Sequence, residues 1–585
     1  MYTNLRAFLD ALRRNKDLVE IKAEVDPYLE LAEIHRRVVE EEGPALLFTN
    51  VKGSPFPVVT NLFGTKERVE MAFGPKPEQI IRGLVNALDN LLPPKPSALW
   101  KERHLLLDMM KTGTKRVKRA PVMEVYATDF DLTTLPALTS WQEDGGPFIT
   151  LPLVYTESPE TGVHNLGMYR NQIHGKNMLG MHWQIHKGGG FHHYEAEQRD
   201  QKLPTTIFLG GPPALIVTAI SPLPEMVPEL VFCSLLMGEK LGVIQPKESP
   251  HPLVAEAEFA LSGYVPPHVR HPEGPFGDHY GYYSLQHDFP VFHLERVWHR
   301  KDAIYPATVV GKPKQEDYYI GEYLQRLLSP LFPVVMSGVK QIWAYAEAGV
   351  HSLAGAIVRE SYYREAMAHA FRILGEGQLT LTKFLMVSDV DTDLSNFAQF
   401  FENILARFNP ERDLLIINDT SMDTLDYTAR GKINRGSKAI MTGLGEPVRT
   451  LPRTYTGGQI DRIKNTAVYC AGCLLVSGGS FEEDPHLAQY LVDEAQEALA
   501  PWPVVFLVDD VSIAKSQLSF LWTTFTRFDP ASDIYAQAKI VRNKIAYQGP
   551  IIIDARMKPM YPKELFPRED IVQLVDRRWK EYFPE

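Results

Sequence analysis

Two short stretches of the chain concentrate residue types that do chemistry. Residues 165–190 (NLGMYRNQIHGKNMLGMHWQIHKGGG) place an amide, an arginine, three histidines and a glycine run in a β-like pattern. So many polar groups are costly in a half-buried sheet unless a ligand uses them. Residues 273–283 (EGPFGDHYGYY) set two carboxylates five positions apart among glycines and aromatic residues. We expect the two stretches to meet in space and form one active site.

One candidate group suits a divalent metal ion. Asn165, His186 and Glu229 offer an amide oxygen, an imidazole and a carboxylate, which fit Mn²⁺ or Mg²⁺ and leave positions for water or phosphate. Each residue also has a structural alternative. Asn165 could cap a hairpin, His186 could be a hydrogen-bonded histidine within a strand, and Glu229 could be stabilised at a helix N-terminus by the helix dipole. Glu229 shares a predicted helix face with Cys233 and Leu236, so we expect it to point inward. A buried carboxylate needs a metal or another cation.

A second candidate group combines Arg170 with Glu273 and Asp278. The arginine can hold a substrate carboxylate by forked hydrogen bonds. One acid is expected to stay protonated, because of burial and its like-charged neighbour, and so to donate a proton. The alternative is a polar turn between strands. Strand parity places Arg170 and Asn165 on opposite faces, and a bulge at Gly167 would reconcile them.

Composition limits the class of protein. The length of 585 residues predicts three or four units. A net charge of -11 argues against nucleic acid as the main partner. The three cysteines form no disulfide framework and suit a reducing cytosol; Cys470 and Cys473 have CxxC spacing but no second pair, so we expect buried thiols. No signal peptide and no run of ~18 apolar residues occurs, which predicts a soluble cytoplasmic protein, at most peripheral to a membrane.

Pattern divides the chain into three parts. Residues 1 to about 105 alternate helix and strand patterns, beginning with an apolar stripe of Leu5, Phe8, Leu9 and Leu12, and break near Pro93. Residues from about 120 to 310 predict an antiparallel sheet closing toward a barrel. Its expected strands include 149–156, 166–173, 205–210, 214–220 and 290–298; residues 174–177 form a hairpin turn, and a single helix spans 228–241.

From about residue 330 the pattern returns to α/β and contains an internal echo. A strand, a helix and an RF(N/D)PxxD turn occur at 384–413 and recur at 506–533, which predicts a duplicated or extended α/β layer. The alternative is that two unrelated strand–helix units have arrived independently at similar turn sequences. Residues 187–190 and 435–438 are predicted to be basic, glycine-containing loops of the kind that can bind phosphate.

Together these motifs resemble the UbiD family of decarboxylases over about residues 1 to 440. The matching segments are 165–170, 175–177, 182–189, 228–240 and 273–283, and their order and separations also match. The resemblance implies a multidomain α+β chain: an N-terminal α/β domain (1–120), a central antiparallel split barrel of flavin-reductase type (121–310) and a C-terminal α/β domain with an extension (311–585). It also implies a homo-oligomer.

The resemblance further implies prenylated FMN as cofactor, held through a divalent metal, usually Mn²⁺, often with K⁺ nearby. The implied metal ligands are Asn165, His186 and Glu229. The implied cofactor-binding residues are Met168, Tyr169, Arg170, His182, Trp183, Gln184, Lys187, Gly188 and, less well matched, Lys438 on the phosphate side. The implied catalytic residues are Arg170, Glu273 and Asp278, with Asp278 as the proton donor.

The implied reaction is the reversible, non-oxidative loss of CO₂ from an aromatic or α,β-unsaturated acid. The extension beyond residue 440 resembles that of long family members associated with quinone biosynthesis. This resemblance suggests as substrate a 3-polyprenyl-4-hydroxybenzoate-like acid or, alternatively, a 1,4-dihydroxy-6-naphthoate-type acid of the futalosine route. A flavin prenyltransferase would supply the cofactor, and a polyprenylated substrate would bring peripheral membrane contact. Competing hypotheses are a flavin reductase, which leaves Glu273 and Asp278 without a role, and a scaffold protein that has lost its chemistry.

Overall fold

The computed structural model describes residues 1–91, 112–184, 187–221, 223, 228–429 and 433–584. The chain forms two compact units, one of residues 1–327 with 563–585 and the other of residues 328–562. The final segment therefore returns to the first unit instead of ending the C-terminal domain. The predicted boundaries at 120 and 310 stay a prediction, and the predicted break near Pro93 lies outside the described residues.

Unit 1 is built from short strands and eight helices that the structure describes before residue 330. The helices are α1 Leu5–Arg14, α2 Glu30–Glu40, α3 Lys66–Phe73, α4 Lys76–Leu91, α5 Gly188–Glu197, α6 Pro213–Ile220, α7 Glu229–Met237 and α8 Glu316–Leu328. The strands are β1 Leu18–Ile21, β2 Ala45–Phe48, β3 Val58–Thr60, β4 Thr114–Arg116, β5 Val125–Ala127, β6 Phe148–Ile149, β7 Leu153–Glu157, β8 His164–Met168, β9 Asn171–Gly175, β10 Met178–Met181, β11 Leu203–Leu209, β12 Leu241–Ile244, β13 Leu253–Val254, β14 Phe259–Val265, β15 Arg270–Glu273, β16 Phe276–Gly277, β17 Tyr283–Ser284, β18 His287–His299 and β19 Tyr305–Pro306.

The N-terminal part confirms the predicted alternation of helix and strand. The Asn4 side chain caps α1 by accepting a hydrogen bond from the Ala7 N–H at 2.9 Å, and Phe8 and Leu12 of the predicted stripe are fully buried. Strands β1, β2, β3 and β19 form a four-stranded sheet in that order. The C-terminal helix, Glu569–Tyr582, packs on α2, and its Ile571 and Val575 join the core of this unit.

The central sheet is a curled antiparallel half-barrel. Its strand order is β6-β9-β10-β18-β14-β11-β7-β8, with β5 and β15 also paired to β18. Strands β8 and β9 lie near opposite ends of this order, yet only two residues separate them in the chain. Three Cα steps span at most about 11 Å, so the sheet must curl until its two ends approach each other. Arg170 belongs to this link.

The hairpin predicted at 174–177 is confirmed, since β9 and β10 pair antiparallel across it. Within the described part of this region, three helices interrupt the sheet instead of the single one expected. Residues 214–220, predicted to be a strand, belong to α6, which begins at Pro213 with its apolar side chains buried on most sides. A short, wholly apolar run carries no period that separates helix from strand, and a first-turn proline favours helix. The helix predicted over 228–241 is the shorter α7, after which Leu241 begins β12.

Unit 2 contains two five-stranded sheets with flanking helices. The helices are α9 Phe332–Val335, α10 Glu365–Leu374, α11 Phe397–Arg407, α12 Pro410–Asp413, α13 Leu487–Glu494, α14 Gln496–Leu499, α15 Gln517–Phe525 and α16 Pro530–Asp533. The strands are β20 Val339–Ala344, β21 Leu353–Val358, β22 Phe384–Ser388, β23 Leu414–Ser421, β24 Arg435–Gly443, β25 Asn465–Cys470, β26 Cys473–Ser477, β27 Val504–Leu507, β28 Ile534–Val541 and β29 Lys544–Asp554.

The predicted duplication is confirmed by topology. The two sheets have the orders β20-β21-β22-β24-β23 and β25-β26-β27-β29-β28, with the same sequence of antiparallel and parallel pairings. The repeated turns also match: the Asn409 N–H donates to Asp413 and the Asp529 N–H donates to Asp533, each at 2.8 Å. One hydrophobic core, including the buried Phe408 and Phe528, serves both halves.

The cysteines are free and buried, as expected. Cys470 and Cys473 face each other at the end of the β25–β26 hairpin, where both side chains join apolar neighbours of the shared core. No helix in the described ranges combines the length and the apolar composition that crossing a membrane requires.

Candidate active site

The site centres on Arg170, which lies in the two-residue link between β8 and β9 and is buried. Its Nε and Nη2 donate to the two carboxylate oxygens of Glu273 at 2.8 and 3.0 Å. Nη1 donates to Asp278, and Nη2 also donates to the Ser284 hydroxyl at 3.0 Å. The ring of Phe276 lies 4.6 Å from the guanidinium carbon. The structure thus brings together the arginine and both acids that the sequence singled out.

Backbone hydrogen bonds fix the loop that carries the two acids. The Gly274 N–H donates to the Gln172 side chain at 2.8 Å, and the Gly277 N–H donates to Asp144 at 2.8 Å. A Cβ atom on Gly277 would collide with the indole ring of Trp141, so only glycine fits there. These contacts hold the Glu273 and Asp278 carboxylates on one guanidinium.

Sequence reasoning missed the supporting residues Gln172, Asp144 and Ser284. Burial raises the pKa of Asp144 to about 7, although three backbone N–H groups bind its carboxylate. Residues 143–146 have only the composition of an ordinary turn, so no local signal marks Asp144 as a support for a distant loop. Ser284 lies in β17, directly after the aromatic run, and belongs to no sequence motif that would mark it.

The surroundings of both acids favour their ionised form. Burial is the largest single influence and raises the pKa of each carboxyl, but Arg170 outweighs it together with His182 at Glu273 and His279 at Asp278. The pKa of each acid is therefore held well below its usual range. The expectation that one acid stays protonated is wrong for this state, because the guanidinium separates the like charges and compensates both.

Two predicted cofactor-binding residues extend the network. The His182 Nδ1 lies 3.2 Å from Glu273 Oε2, and the Gln184 amide nitrogen lies 3.0 Å from His182 Nε2. The His182 ring also packs against Phe289 with 4.4 Å between ring centroids. A line of polar contacts therefore runs from Gln184 through His182 to the acid that binds Arg170.

The predicted metal-binding region is only partly described, since His186 lies outside the described residues. The Asn165 amide donates to the Tyr169 hydroxyl at 3.2 Å, and the same hydroxyl accepts from the Gly189 N–H at 3.3 Å. A Cβ atom on Gly188 would collide with the Asn165 amide oxygen. Asn165, Tyr169 and the start of α5 therefore adjoin one another.

Glu229 begins α7 and lies next to β8, where the backbone of Leu166 interacts with the Glu229 carboxylate. Its Oε2 is buried, and among the described residues no donor reaches it. Burial raises the pKa of Glu229 to about 7. A buried carboxylate oxygen that no donor reaches suits a divalent cation, which would supply the missing positive charge. Within the described ranges no group of three or more His, Cys, Asp or Glu side chains could hold a metal, a count that omits Asn165 and His186.

The remaining cofactor candidates in unit 1 lie around the start of α5. The Trp183 ring meets Tyr169 edge-on with 6.5 Å between centroids, and Met168 ends β8, where it is half-buried. Residues 187–190 are predicted to be a loop, but Lys187 caps α5 and Gly188 begins it. At this helix start the Gly189 N–H donates to the Tyr169 hydroxyl and the Gly190 N–H donates to the Lys187 carbonyl, and a phosphate-binding role for the segment stays a prediction.

Two further predictions fail. No bulge occurs at Gly167, because β7 and β8 pair without a register shift over residues 153–157 and 164–168. Strand parity is irrelevant to Arg170, since the chain has left β8 before reaching it. Residues 435–438 form the start of β24 and not a loop.

Lys438 belongs to unit 2, whereas the other described site candidates belong to unit 1. Its amine donates to the Thr382 carbonyl at 3.0 Å and lies 3.8 Å from the Met422 sulfur. Burial lowers the pKa of Lys438 to about 8. Its role at the cofactor phosphate stays a prediction.

Comparison with known proteins agrees with this fold. Three family models for 3-octaprenyl-4-hydroxybenzoate carboxy-lyase match the chain: the N-terminal domain at residues 9–88, the Rift-related domain at 114–313 and the C-terminal domain at 318–443. These matches define the protein as a carboxy-lyase. The chain belongs to the UbiD family of decarboxylases.

Relatives cover the whole chain. A protein of Chlamydia trachomatis described as uncharacterized is 51% identical over 99% of this chain and 100% of its own length. A Chlamydia pneumoniae protein, named as one of the subunits of a 4-hydroxybenzoate decarboxylase, is 50% identical over 99% of this chain and 98% of its own length. The segment after residue 443, which the three family models do not match, is thus shared with full-length relatives.

Solved structures share the fold at lower identity. The closed form of vanillic acid decarboxylase from Sedimentibacter hydroxybenzoicus has a TM-score of 0.68 and 24% identity, covering 79% of this chain and 96% of that one. The UbiD-class enzyme HmfF from Pelotomaculum thermopropionicum, solved with FMN, has a TM-score of 0.62 and 23% identity, covering 78% and 97%.

Proposed function

We propose that this protein removes CO₂, reversibly and without oxidation, from an aromatic or α,β-unsaturated carboxylic acid, using prenylated FMN. The observation that carries the proposal is the buried guanidinium of Arg170 bound by both Glu273 and Asp278. A carboxylate substrate needs a cation in a dry site, and the product carbon needs a proton; this cluster supplies the first and can deliver the second.

The cofactor residues fit the group that the family implies. Asn165 and Glu229, with His186, would hold a divalent ion such as Mn²⁺ at the cofactor phosphate, and the unpaired Glu229 oxygen supports this. The residues that would line the bound cofactor are Met168, Tyr169, Arg170, His182, Trp183, Gln184, Lys187 and Gly188, with Lys438 proposed for the phosphate side and K⁺ nearby. When bound, prenylated FMN supplies the sink for the electrons that the departing CO₂ leaves behind.

The residues of the chain then divide the remaining work. Glu273 accepts two hydrogen bonds from Nε and Nη2 of Arg170, and the remaining nitrogen, Nη1, donates to Asp278. A substrate carboxylate that binds Nη1 displaces Asp278 from its cation. Burial then dominates, and the pKa of Asp278 rises toward the protonated form. Asp278 can then donate a proton to the carbon that has lost CO₂.

We propose a quinone precursor as substrate, either a 3-polyprenyl-4-hydroxybenzoate-like acid or a dihydroxynaphthoate-type acid. The C. pneumoniae relative is named for 4-hydroxybenzoate, which supports a hydroxylated aromatic acid. The substrate would be a small molecule or, if polyprenylated, would bring the protein to a membrane surface. A flavin prenyltransferase would supply the cofactor, and a cytoplasmic homo-oligomer with a split-barrel core remains our expectation.

The test is anaerobic incubation with a panel of acids after reconstitution with prenylated FMN and Mn²⁺. The panel contains 4-hydroxybenzoate, 3-polyprenyl-4-hydroxybenzoate and 1,4-dihydroxy-6-naphthoate, and released CO₂ is measured without NADH. We expect CO₂ from at least one acid, lost in the Arg170→Ala variant. NADH oxidation by bound FMN with no CO₂ from any acid would favour the flavin reductase hypothesis instead.

A further inference from the structure

The carboxylate of Asp278 has one titratable partner among the hydrogen-bond donors that the structure describes. Its Oδ2 accepts from Arg170, which does not release a proton. Its Oδ1 accepts from the His279 N–H and lies 2.7 Å from the His279 imidazole Nδ1. Among these described partners, His279 is the one that can pass a proton to Asp278.

The position of His279 suits a group between the buried acid and water. The His279 side chain is 31% exposed, whereas that of Asp278 is 11% exposed. The groups that the structure describes near His279 include the Tyr280 ring, at 5.1 Å between centroids, and the carboxylate of Asp317 at the start of α8, which interacts with it electrostatically. Burial raises the pKa of Asp317 to about 6, so it can itself gain a proton near neutrality.

The proposed reaction creates a need for such a group. Replacing CO₂ on the substrate carbon by hydrogen consumes one proton in each turnover. Arg170 and His279 favour the carboxylate form of Asp278, which must gain a proton before it can donate one. The guanidinium on its other oxygen opposes that step, so a neighbouring acid is required at Oδ1.

We propose that His279 is a positioning residue that passes a solvent proton to Asp278 in each turnover, an inference that rests on the proposed function. The imidazolium gives its Nδ1 proton to Asp278 Oδ1 and becomes neutral imidazole. Asp278 transfers the proton to the product carbon and returns to carboxylate. The imidazole then regains a proton from water, so one proton enters for each CO₂ that leaves.

The first test is the pH profile of decarboxylation in His279→Gln, which keeps a side-chain donor but cannot titrate. We expect a loss of at least about tenfold in kcat, with unchanged flavin absorbance, and disappearance of the fall in rate that follows imidazolium deprotonation. In His279→Ala, added imidazole should restore activity in proportion to its protonated fraction. The control, His268→Gln, changes an exposed histidine that contacts Asp200 and should keep the wild-type profile.

A second test needs no turnover. The infrared carbonyl band of protonated Asp278, assigned by its loss in Asp278→Asn, should appear at higher pH in His279→Gln, because the imidazole helps to keep the carboxylate ionised. A wild-type pH profile in His279→Gln, no imidazole rescue, or an unmoved infrared midpoint would overturn the relay while leaving the proposed function intact. Absence of CO₂ release by the wild type from every acid in the panel would instead defeat the proposed function.

Discussion

Replacing Arg170 with glutamine should destabilise unit 1 strongly at neutral pH and much less in acid. The change leaves the buried carboxylates of Glu273 and Asp278 without their shared cation. Removing one partner from a buried ion pair typically costs about 3–5 kcal/mol. Two acids depend on this one guanidinium, so we expect the upper part of that range at pH 7.

The pH dependence follows from the direction of each pKa. In the wild type both pKa values are depressed, so the stability they contribute is present above the unfolded values of about 4 and is lost as the pH falls. In Arg170→Gln burial is opposed only by His182 at Glu273 and by His279 at Asp278, so we expect both pKa values to rise above the unfolded values. Stability is then complete below about pH 4 and is lost as the pH rises through the raised values. The difference between the two proteins therefore opens above about pH 4 and grows toward pH 7.

The assay is urea unfolding of the cofactor-free protein at pH 7 and pH 5, followed by tryptophan fluorescence; Trp141 and Trp183 both lie in unit 1. The control Arg82→Gln removes an exposed pair with Glu78 in α4 and should cost less than about 1 kcal/mol at both pH values. A cost for Arg170→Gln below about 1 kcal/mol, or one equal at the two pH values, would refute the view that burial of both carboxylates depends on this guanidinium.

Three further changes test other parts of the site. Asp278→Asn should keep flavin binding, read by absorbance, but lose CO₂ release, and full activity would remove Asp278 from the mechanism. Glu229→Ala should purify depleted in flavin and metal, measured by absorbance and elemental analysis, since the unpaired buried oxygen that suits the cation is gone; unchanged contents would contradict the ligand assignment. Gly277→Ala should cost about 1–3 kcal/mol in urea unfolding because its Cβ meets the Trp141 ring, and an unchanged midpoint would show that the loop relaxes freely.

The sequence predicted the parts of the site whose chemistry is unusual for their position. Arg170, Glu273 and Asp278 are charged residues within apolar and glycine-rich strings, and burial of such groups requires that they meet. The duplicated module was also predictable, because an RF(N/D)PxxD turn performs the same capping at Asn409 and Asp529. In both cases the local pattern itself demands the structure that forms.

The failures share a different cause: the deciding contact is distant in the chain. The ionisation of Asp278 depends on a guanidinium 108 residues away. The helix over Pro213–Ile220 is apolar throughout and so shows no period, and the strand beginning at Arg435 is set by pairing with β22 and β23. The bulge expected at Gly167 assumed one continuous strand, whereas the chain changes strands at Tyr169 and Arg170.

The duplicated fold has a lysine, Lys438, at a position where the second half has a different residue. Pairing of β22 with β24 places Ala439 opposite Phe384, and pairing of β27 with β29 places Ile551 opposite Val504. Lys438 directly precedes Ala439, and Pro550 directly precedes Ile551. By this register, Lys438 of the first half and Pro550 of the second half occupy equivalent positions. Proline carries neither a charge nor an N–H donor, so the second half repeats the fold without the cation. Its contribution is the shared core, to which Phe520, Phe525 and Phe528 all belong. The second half therefore stabilises the module that contains Lys438, and it has a proline at the position equivalent to this lysine.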